Sequence, residues 1–439
     1  MKIYKNIPRS EWPELCKRPR LQTGDLDALV SGVFDKVRVS GDEAVKDFTR
    51  QFDKVALSAL TVSEEEWEQG VAAVPEVLHR AILKAKKNIE TFHKAQQSQG
   101  FSVETEPGVR CWQKSVPVEK VGIYIPGGTA PLFSTVLMLA VPAQIAGCRQ
   151  VVLCTPPDAK GEIAPAILFA ARITGVDVVV KAGGIQAIAA LTYGTENVPK
   201  IDKIFGPGNQ YVTAAKQKAQ TEGVAIDLPA GPSELLVIAD DTANPAFVAS
   251  DLLSQAEHGS DSQVVCVSDS LEFLESVNEA LEEQLEKLPR REIARKSLQN
   301  ARFLFSPDKT ETIGFVNAYA PEHLIIVSRE EAFYLENVRN AGSVFLGGYT
   351  PESAGDYVSG TNHTLPTGGF ARSYGSLGLD DFTKKISFQR ISPEGMRNLG
   401  NSIEIMAKAE GLEAHAQAAT LRLAALKGEN QASGNAKYP

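Results

Sequence analysis

The runs VGIYI (121–125), TVLMLAVPAQIAG (135–147), VVLC (151–154), EIAPAILFAARI (162–173), VDVVV (176–180), IQAIAALTY (185–193), DKIF (202–205), QYVTAAKQKA (210–219) and VAIDL (224–228) decide the fold. Short β-branched runs alternate with helical patterns. Strands that are apolar on both faces, each followed by a helix, predict a parallel sheet covered on both sides. Residues 130–147 are uncharged but contain Pro131, Ser134, Pro142 and Gln144 between two strand-like runs. That context predicts a buried helix and not a membrane span.

A second series follows. LLVIA (235–239), QVVCVS (263–268), ARFLF (301–305), LIIVS (324–328) and SVFL (343–346) read as strands. Residues 245–257, 270–288 and 330–340 read as helices between them. Asp269 and Ser270, with Glu272 and Glu275 just beyond, have the character of an N-cap with acidic support. Two α/β units side by side make a cleft suited to a dinucleotide and a substrate. Residues 21–50 and 64–93 have helical spacing, as does 402–427, and the polar tail GENQASGNAKYP is expected to be disordered.

The 439 residues suffice for roughly two to four domains. The net charge is −9 with no basic run, which argues against nucleic acid as a partner. The five cysteines are scattered without a CxxC, as expected of reduced thiols in the cytoplasm. The first residues, MKIYKNIPRSEWPELC, lack the apolar core of a signal peptide.

Four of the six histidines stand in short polar motifs: His258 in SQAEHG, His323 in YAPEHL, His363 in SGTNH and His415 in EGLEAH. Gln255, Glu257, Glu322, Asp356 and Glu410 are close to them in sequence. Imidazole with carboxylate serves both a divalent metal and a general acid/base step. Each histidine alone reads more readily as an ordinary surface or core residue. Their joint occurrence beside acceptors favours a shared site. The glycine-rich stretches IPGGTAPL, KAGGIQAI and FGPGNQYV each stand at a strand-to-helix junction, where backbone amides can approach a ligand. Any one of them alone is a tight turn. Three on one sheet edge raise the prospect of a cofactor cleft.

YIPGGTAPLFSTVLMLAVPA, GPGNQYVTAAK, IDLPAGPSELLVIAD, DLLSQAEHGSDSQ, YAPEHL, PESAGDYVSGTNHTLPT and AEGLEAHAQA, in this order, closely resemble the histidinol dehydrogenase family. The resemblance runs from about residue 21 to 426. It implies NAD-dependent four-electron oxidation of L-histidinol, through L-histidinal, to L-histidine, the last step of histidine biosynthesis. It implies one zinc per site, a homodimer with a composite active site, and a fold related to the aldehyde dehydrogenases. The implied arrangement is an N-terminal arm (1–25), a substrate and zinc domain (26–120 plus 234–377) and an NAD-binding domain (121–233). A C-terminal segment (378–439) would reach the partner, with its tail disordered from about 428.

Carried over motif by motif, the zinc ligands would be Gln255, His258, Asp356 and His415. Gln255 and His258 are three apart and share a face if helical. Two imidazoles and two side-chain oxygens make a plausible zinc set, although residue chemistry alone would have favoured Glu257 over Gln255. Glu257 is instead expected to orient an imidazole. Glu322 and His323 would be the acid/base pair: imidazole, with a pKa of about 6.5, suits removal of the alcohol proton, and a neighbouring carboxylate can activate water for aldehyde hydration. Ser233, Gln255, His258, His323, Asp356, Glu410 and His415 would bind substrate, with His363 nearby. Tyr124, Gln186 and Asn209 would bind NAD at strand ends. Cys111 and Cys148 are expected to be inert, leaving the second oxidation to water. Rival readings are a paralogue acting on another small alcohol on the same scaffold, and an inactive zinc-binding scaffold. The retained Glu322-His323 pair and the full ligand set speak against both.

Overall fold

A computed structural model describes the chain except residues 6, 20–25, 128–130, 229–230 and 435–439, with side chains described up to 427. It divides into two compact units, residues 1–96 with 118–382 and residues 97–117 with 383–439.

The first unit contains two parallel sheets. One has five strands in the order Val178–Lys181, Gln150–Thr155, Lys120–Tyr124, Lys203–Phe205 and Ala225–Ile226. The strand order reverses direction between Lys120–Tyr124 and Lys203–Phe205, so a crevice opens beyond their carboxyl ends. The helix Phe133–Ala146 is apolar all round and buried continuously from Ser134 to Ala143. Such a helix belongs in a core, and each fully buried Leu or Val contributes about 1.5–3 kcal/mol. Among the described residues no helix is long and apolar enough to cross a membrane.

The helix Leu26–Phe52 presents Val30, Val33, Phe34 and Val37 to the helices Gly184–Tyr193 and Gln210–Thr221, in one apolar cluster with Ile188, Leu191 and Val212. On the other face of the sheet the helices Glu64–Ala72 and Glu76–Ala95 pack on Pro165–Ile173 and Phe133–Ala146, and Trp67, Ile82 and Ile89 share one apolar cluster with Val121 and Ile123. Residues 26–95 therefore pack over the helices that flank the first sheet, whereas the motif-based division groups them with residues 234–377. An apolar stripe records that a helix face is covered, not which sheet covers it.

The second sheet has six strands, in the order Ile3–Lys5, Arg302–Phe305, Gln263–Ser268, Glu234–Ala239, His323–Val327 and Ser343–Leu346, all parallel. Successive side chains alternate between its faces. Leu235, Val237 and Ile325 pack with the helices Pro245–Ala256 and Leu271–Leu285, and Leu236, Ile238 and Leu324 with the helix Lys309–Tyr319. The N-terminal arm supplies an edge strand, pairing Ile3 with Phe303.

The second unit is an antiparallel sheet in the order Thr383–Ile391, Val109–Pro117 and Phe101–Glu106, with the helices Pro393–Ala409 and Glu413–Gly434. Trp112 lies opposite Phe388 in the register and stacks on it with centroids 5.4 Å apart. The backbone is helical to Gly434, and 435–439, the end of the expected disordered tail, lie outside the described residues.

Candidate active site

His323 and Glu234 open adjacent strands at the amino edge of the second sheet, where the strand order reverses. This edge carries a polar cluster next to a hydrocarbon core: His323, Glu322, Glu234 and Glu352 are all buried. His323 Nδ1 lies 3.1 Å from the backbone oxygen of Glu234. A carbonyl only accepts, so Nδ1 keeps its hydrogen, and the proton that can leave and return is the one on Nε2. Nε2 has no hydrogen-bond partner and faces Asp356 Oδ1 at 3.8 Å.

Three carboxylates surround this ring. Glu352 Oε1 and Glu322 Oε2 are each 3.7 Å from Nδ1, and Asp356 stands at the other nitrogen. Burial opposes charge on His323, but Glu352, Glu322 and Asp356 outweigh it and raise its pKa to about 10. Burial pushes Glu322 up to about 8, although His323 and the amide of Glu234, which donates to Glu322 Oε2 at 2.8 Å, pull it down. Burial likewise raises Glu352 well above the carboxylate range. Burial also opposes charge on Asp356, yet its contact with His323 leaves it below that range.

Two members of the cluster were not singled out in the sequence. Glu352 lies one helical turn before Asp356 in the helix Glu352–Tyr357, and its Oε2 accepts from Ser254 Oγ at 3.4 Å. Glu234 is fully buried and paired with Arg18 at 2.7 Å, while Arg18 stacks on Tyr319 and donates to the backbone oxygens of Cys16 and Tyr319. The N-terminal arm thus holds the strand whose carbonyl orients His323. PESAGDY offers a usable signal for Glu352, since its spacing puts two carboxylates on one helix face. Nothing in the sequence marks Arg18.

The helix Pro245–Ala256, capped by Asn244, brings Gln255 into the same region, and His258 follows just beyond its end. Gln255 is fully buried, and neither atom of its amide has a hydrogen-bond partner. An unsatisfied buried polar group costs about 1–3 kcal/mol, so this side chain is built for something it meets on binding. Protein crowding lowers the pKa of His258, with Asp356 pulling the other way, which favours the neutral imidazole a metal requires. His323, Glu352 and Asp356 offer ligand atoms within 4.8 Å of one another. An orphaned amide, a neutral imidazole and an ionised carboxylate fit a divalent cation.

His363 sits beside this group with both ring nitrogens engaged, Nδ1 with the backbone oxygen of Asp356 at 2.9 Å and Nε2 with Thr135 Oγ1 at 3.1 Å. That makes it a brace between elements of the two sheets. Ser233, His363 and Glu322 line a cavity of about 50 Å³ that also touches Gly206 and Pro207, at the carboxyl edge of the first sheet. Glu257 caps the end of its helix. Glu410 and His415 are exposed and belong to the second compact unit.

A cavity of about 670 Å³ opens at the carboxyl edge of the first sheet, lined by Tyr124, Gln186 and Asn209 among others. That volume is in the range of small-molecule sites. Tyr124 Oη accepts from the amide of Gly184 at 3.0 Å, and Asn209 caps the helix Gln210–Thr221. Gly206 has φ 125°, and a Cβ there would fall 2.2 Å from the backbone oxygen of Tyr124, so only glycine lets these two strand ends approach. Part of IPGGTAPL, residues 128–130, lies outside the described residues. All five cysteines are free. Burial pushes Cys148 up to about 11 and Cys266 up to about 12, which leaves neutral, poorly nucleophilic thiols.

A family model described as histidinol dehydrogenase matches residues 16–423. The histidinol dehydrogenase of Bacteroides thetaiotaomicron is 58% identical over 427 residues, covering 97% of this chain and all of that protein. The crystal structure of histidinol dehydrogenase from Elizabethkingia anophelis superposes with a TM-score of 0.95 at 52% identity, covering 97% of this chain and 99% of that one. A betaine aldehyde dehydrogenase variant from Staphylococcus aureus, 12% identical, superposes with a TM-score of 0.50 over 82% of this chain and 83% of that one, a likeness of fold.

Proposed function

This chain belongs to the histidinol dehydrogenase family, and on that premise we propose that it oxidises L-histidinol through L-histidinal to L-histidine with NAD, in histidine biosynthesis. It is an NAD-dependent oxidoreductase. The observation that carries the mechanism is the buried His323, pinned at Nδ1 and free at Nε2, beside an amide of Gln255 that has no partner.

Gln255, His258 and Asp356 would hold one zinc, completed by His415 of the partner subunit. Bound zinc supplies Lewis acidity and a fixed template for the substrate. This set, in preference to His323 with Glu352 and Asp356, leaves His323 free as the base. Ser233, Gln255, His258, His323, Asp356 and, from the partner subunit, Glu410 and His415 form the substrate site. Tyr124, Gln186 and Asn209 would seat NAD, which would supply the hydride acceptor when bound.

Once deprotonated at Nε2, His323 takes the hydroxyl proton as the first hydride leaves C–H, producing the aldehyde. Glu322 then takes a proton from water as it adds to the carbonyl. A carboxyl near about 8 is suited to accept and return a proton close to neutral pH. The hydrate loses its second hydride as His323 again removes the hydroxyl proton, and the acid results. Asp356, ionised beside the ring, stabilises the imidazolium formed at each step. The neutral thiols are not needed for either oxidation.

The composite dimer is supported by the second unit's surface, where Ile405, Met406, Leu412 and Leu421 are exposed close to Glu410 and His415 in sequence. Exposed apolar side chains at this density along one segment accord with a partner surface. Free cysteines and the absence of a membrane-spanning helix among the described residues accord with a cytoplasmic enzyme.

Complementation tests this arrangement. His323→Ala and His415→Ala proteins are each expected to be inactive. In a mixed dimer one site receives both defects and the other neither, so co-refolding equal amounts should restore about a quarter of wild-type sites by simple two-fold pairing. No recovery, with mixed dimers shown to have formed, would put both residues in one chain's site.

A further inference from the structure

The cavity at the carboxyl edge of the first sheet carries three carboxylates, Asp53, Asp158 and Glu162, and no lysine or arginine among the described residues that line it. Asp158 is committed to its own loop, where Oδ1 accepts from the amides of Lys160 and Glu162 at 2.8 and 3.0 Å. Asp53 differs. It follows the helix Leu26–Phe52, and its Oδ2 accepts from Gln186 Nε2 at 3.2 Å. Burial raises its pKa, so the carboxylate is short of donors.

Gln186 has a matching deficit. It is 1% exposed, and its Oε1 has no hydrogen-bond partner. Asp53 and Gln186 together therefore present acceptors to the cavity and lack donors. A ligand that completes them must bring O–H or N–H groups and no further negative charge. A vicinal diol does so, since two hydroxyls can donate to one carboxylate. A ribose 2′-phosphate would instead set about two negative charges against Asp53 and provide no hydroxyl donor at that position.

We propose that Asp53, held by Gln186, selects an unphosphorylated adenosine ribose and thereby restricts this enzyme to NAD over NADP. The inference rests on the NAD reading of this cavity. Asp53 accepts from the ribose hydroxyls, and its charge repels the 2′-phosphate.

The test is direct binding of NADH and NADPH to the zinc-loaded protein, followed by the cofactor's own fluorescence. The wild type should bind NADH and discriminate against NADPH. In Asp53→Asn the NADH to NADPH affinity ratio should fall about 10- to 100-fold, the range for hydrogen bonds to a charged group. Asp53→Ser should move the ratio in the same direction, and Asp158→Asn should leave it near wild type. Melting curves would establish that each variant is folded. An unchanged ratio in folded Asp53→Asn and Asp53→Ser proteins overturns the proposal, even if both weaken NADH, because Asp53 would then contact the other ribose. Wild-type binding of NADH without discrimination overturns it and leaves the cavity a dinucleotide site. Failure of the wild type to bind NADH removes the cavity reading itself.

Discussion

His323→Ala is expected to lower turnover of histidinol by roughly 10³-fold, within the range of about 10²–10⁴ for a positioned general base. The imidazole is pinned because Nδ1 donates to the carbonyl of Glu234, and Nε2, which has no hydrogen-bond partner, is the nitrogen left to exchange a proton. Zinc content and NADH affinity should stay near wild type in this variant. That pattern separates a base from a ligand. If His323 instead held the metal with Glu352 and Asp356, whose ligand atoms lie within 4.8 Å of one another and of its own, zinc would be lost together with activity. Metal analysis of the folded variant decides between the two.

Removing the metal is expected to have an effect of comparable size. Gln255 is buried with an unsatisfied amide, and Asp356 is ionised beside the imidazoles of His258 and His323. A chelator should therefore reduce activity on the order of 100-fold or more, and added zinc should restore it. His258→Asn should lower zinc content and activity in parallel, since Asn shortens and weakens one of the proposed ligands. NADH binding should survive in both cases, because the cofactor cavity belongs to the first sheet's carboxyl edge and uses none of the metal residues. Full activity in a verified metal-free sample would reject the zinc assignment.

The first sheet was legible because its strands are covered on both faces. Residues 121–228 leave no choice but continuous apolar runs, and helix Phe133–Ala146 is apolar all round because it is buried all round. The strand Ile3–Lys5 was not legible, since an edge strand of three residues needs no apolar pattern. The hairpin Phe101–Glu106 and Val109–Pro117 was equally obscure. Its first strand is exposed throughout, and its pairing with Thr383–Ile391 spans more than two hundred residues that no local signal connects.

The site divides in the same way. Gln255, His258, Glu322, His323 and Asp356 occupy dense polar motifs, and the structure gathers them at or near the amino edge of one sheet. Glu234 and Arg18 remained hidden because a buried ion pair between distant segments looks, residue by residue, like two ordinary surface charges. Their contribution is to position a carbonyl, which has no sequence signature. Glu352 was overlooked beside Asp356 for a related reason: a carboxylate at a helix start reads first as dipole support.

Under the proposed function, one site carries out a four-electron oxidation through Glu322 and His323. Its most direct test is the yield of NADH per histidinol when limiting histidinol is consumed completely in excess NAD. Two NADH for each histidinol, with histidine as the product and no free aldehyde, is the predicted result. One NADH for each histidinol, with histidinal accumulating, would contradict it.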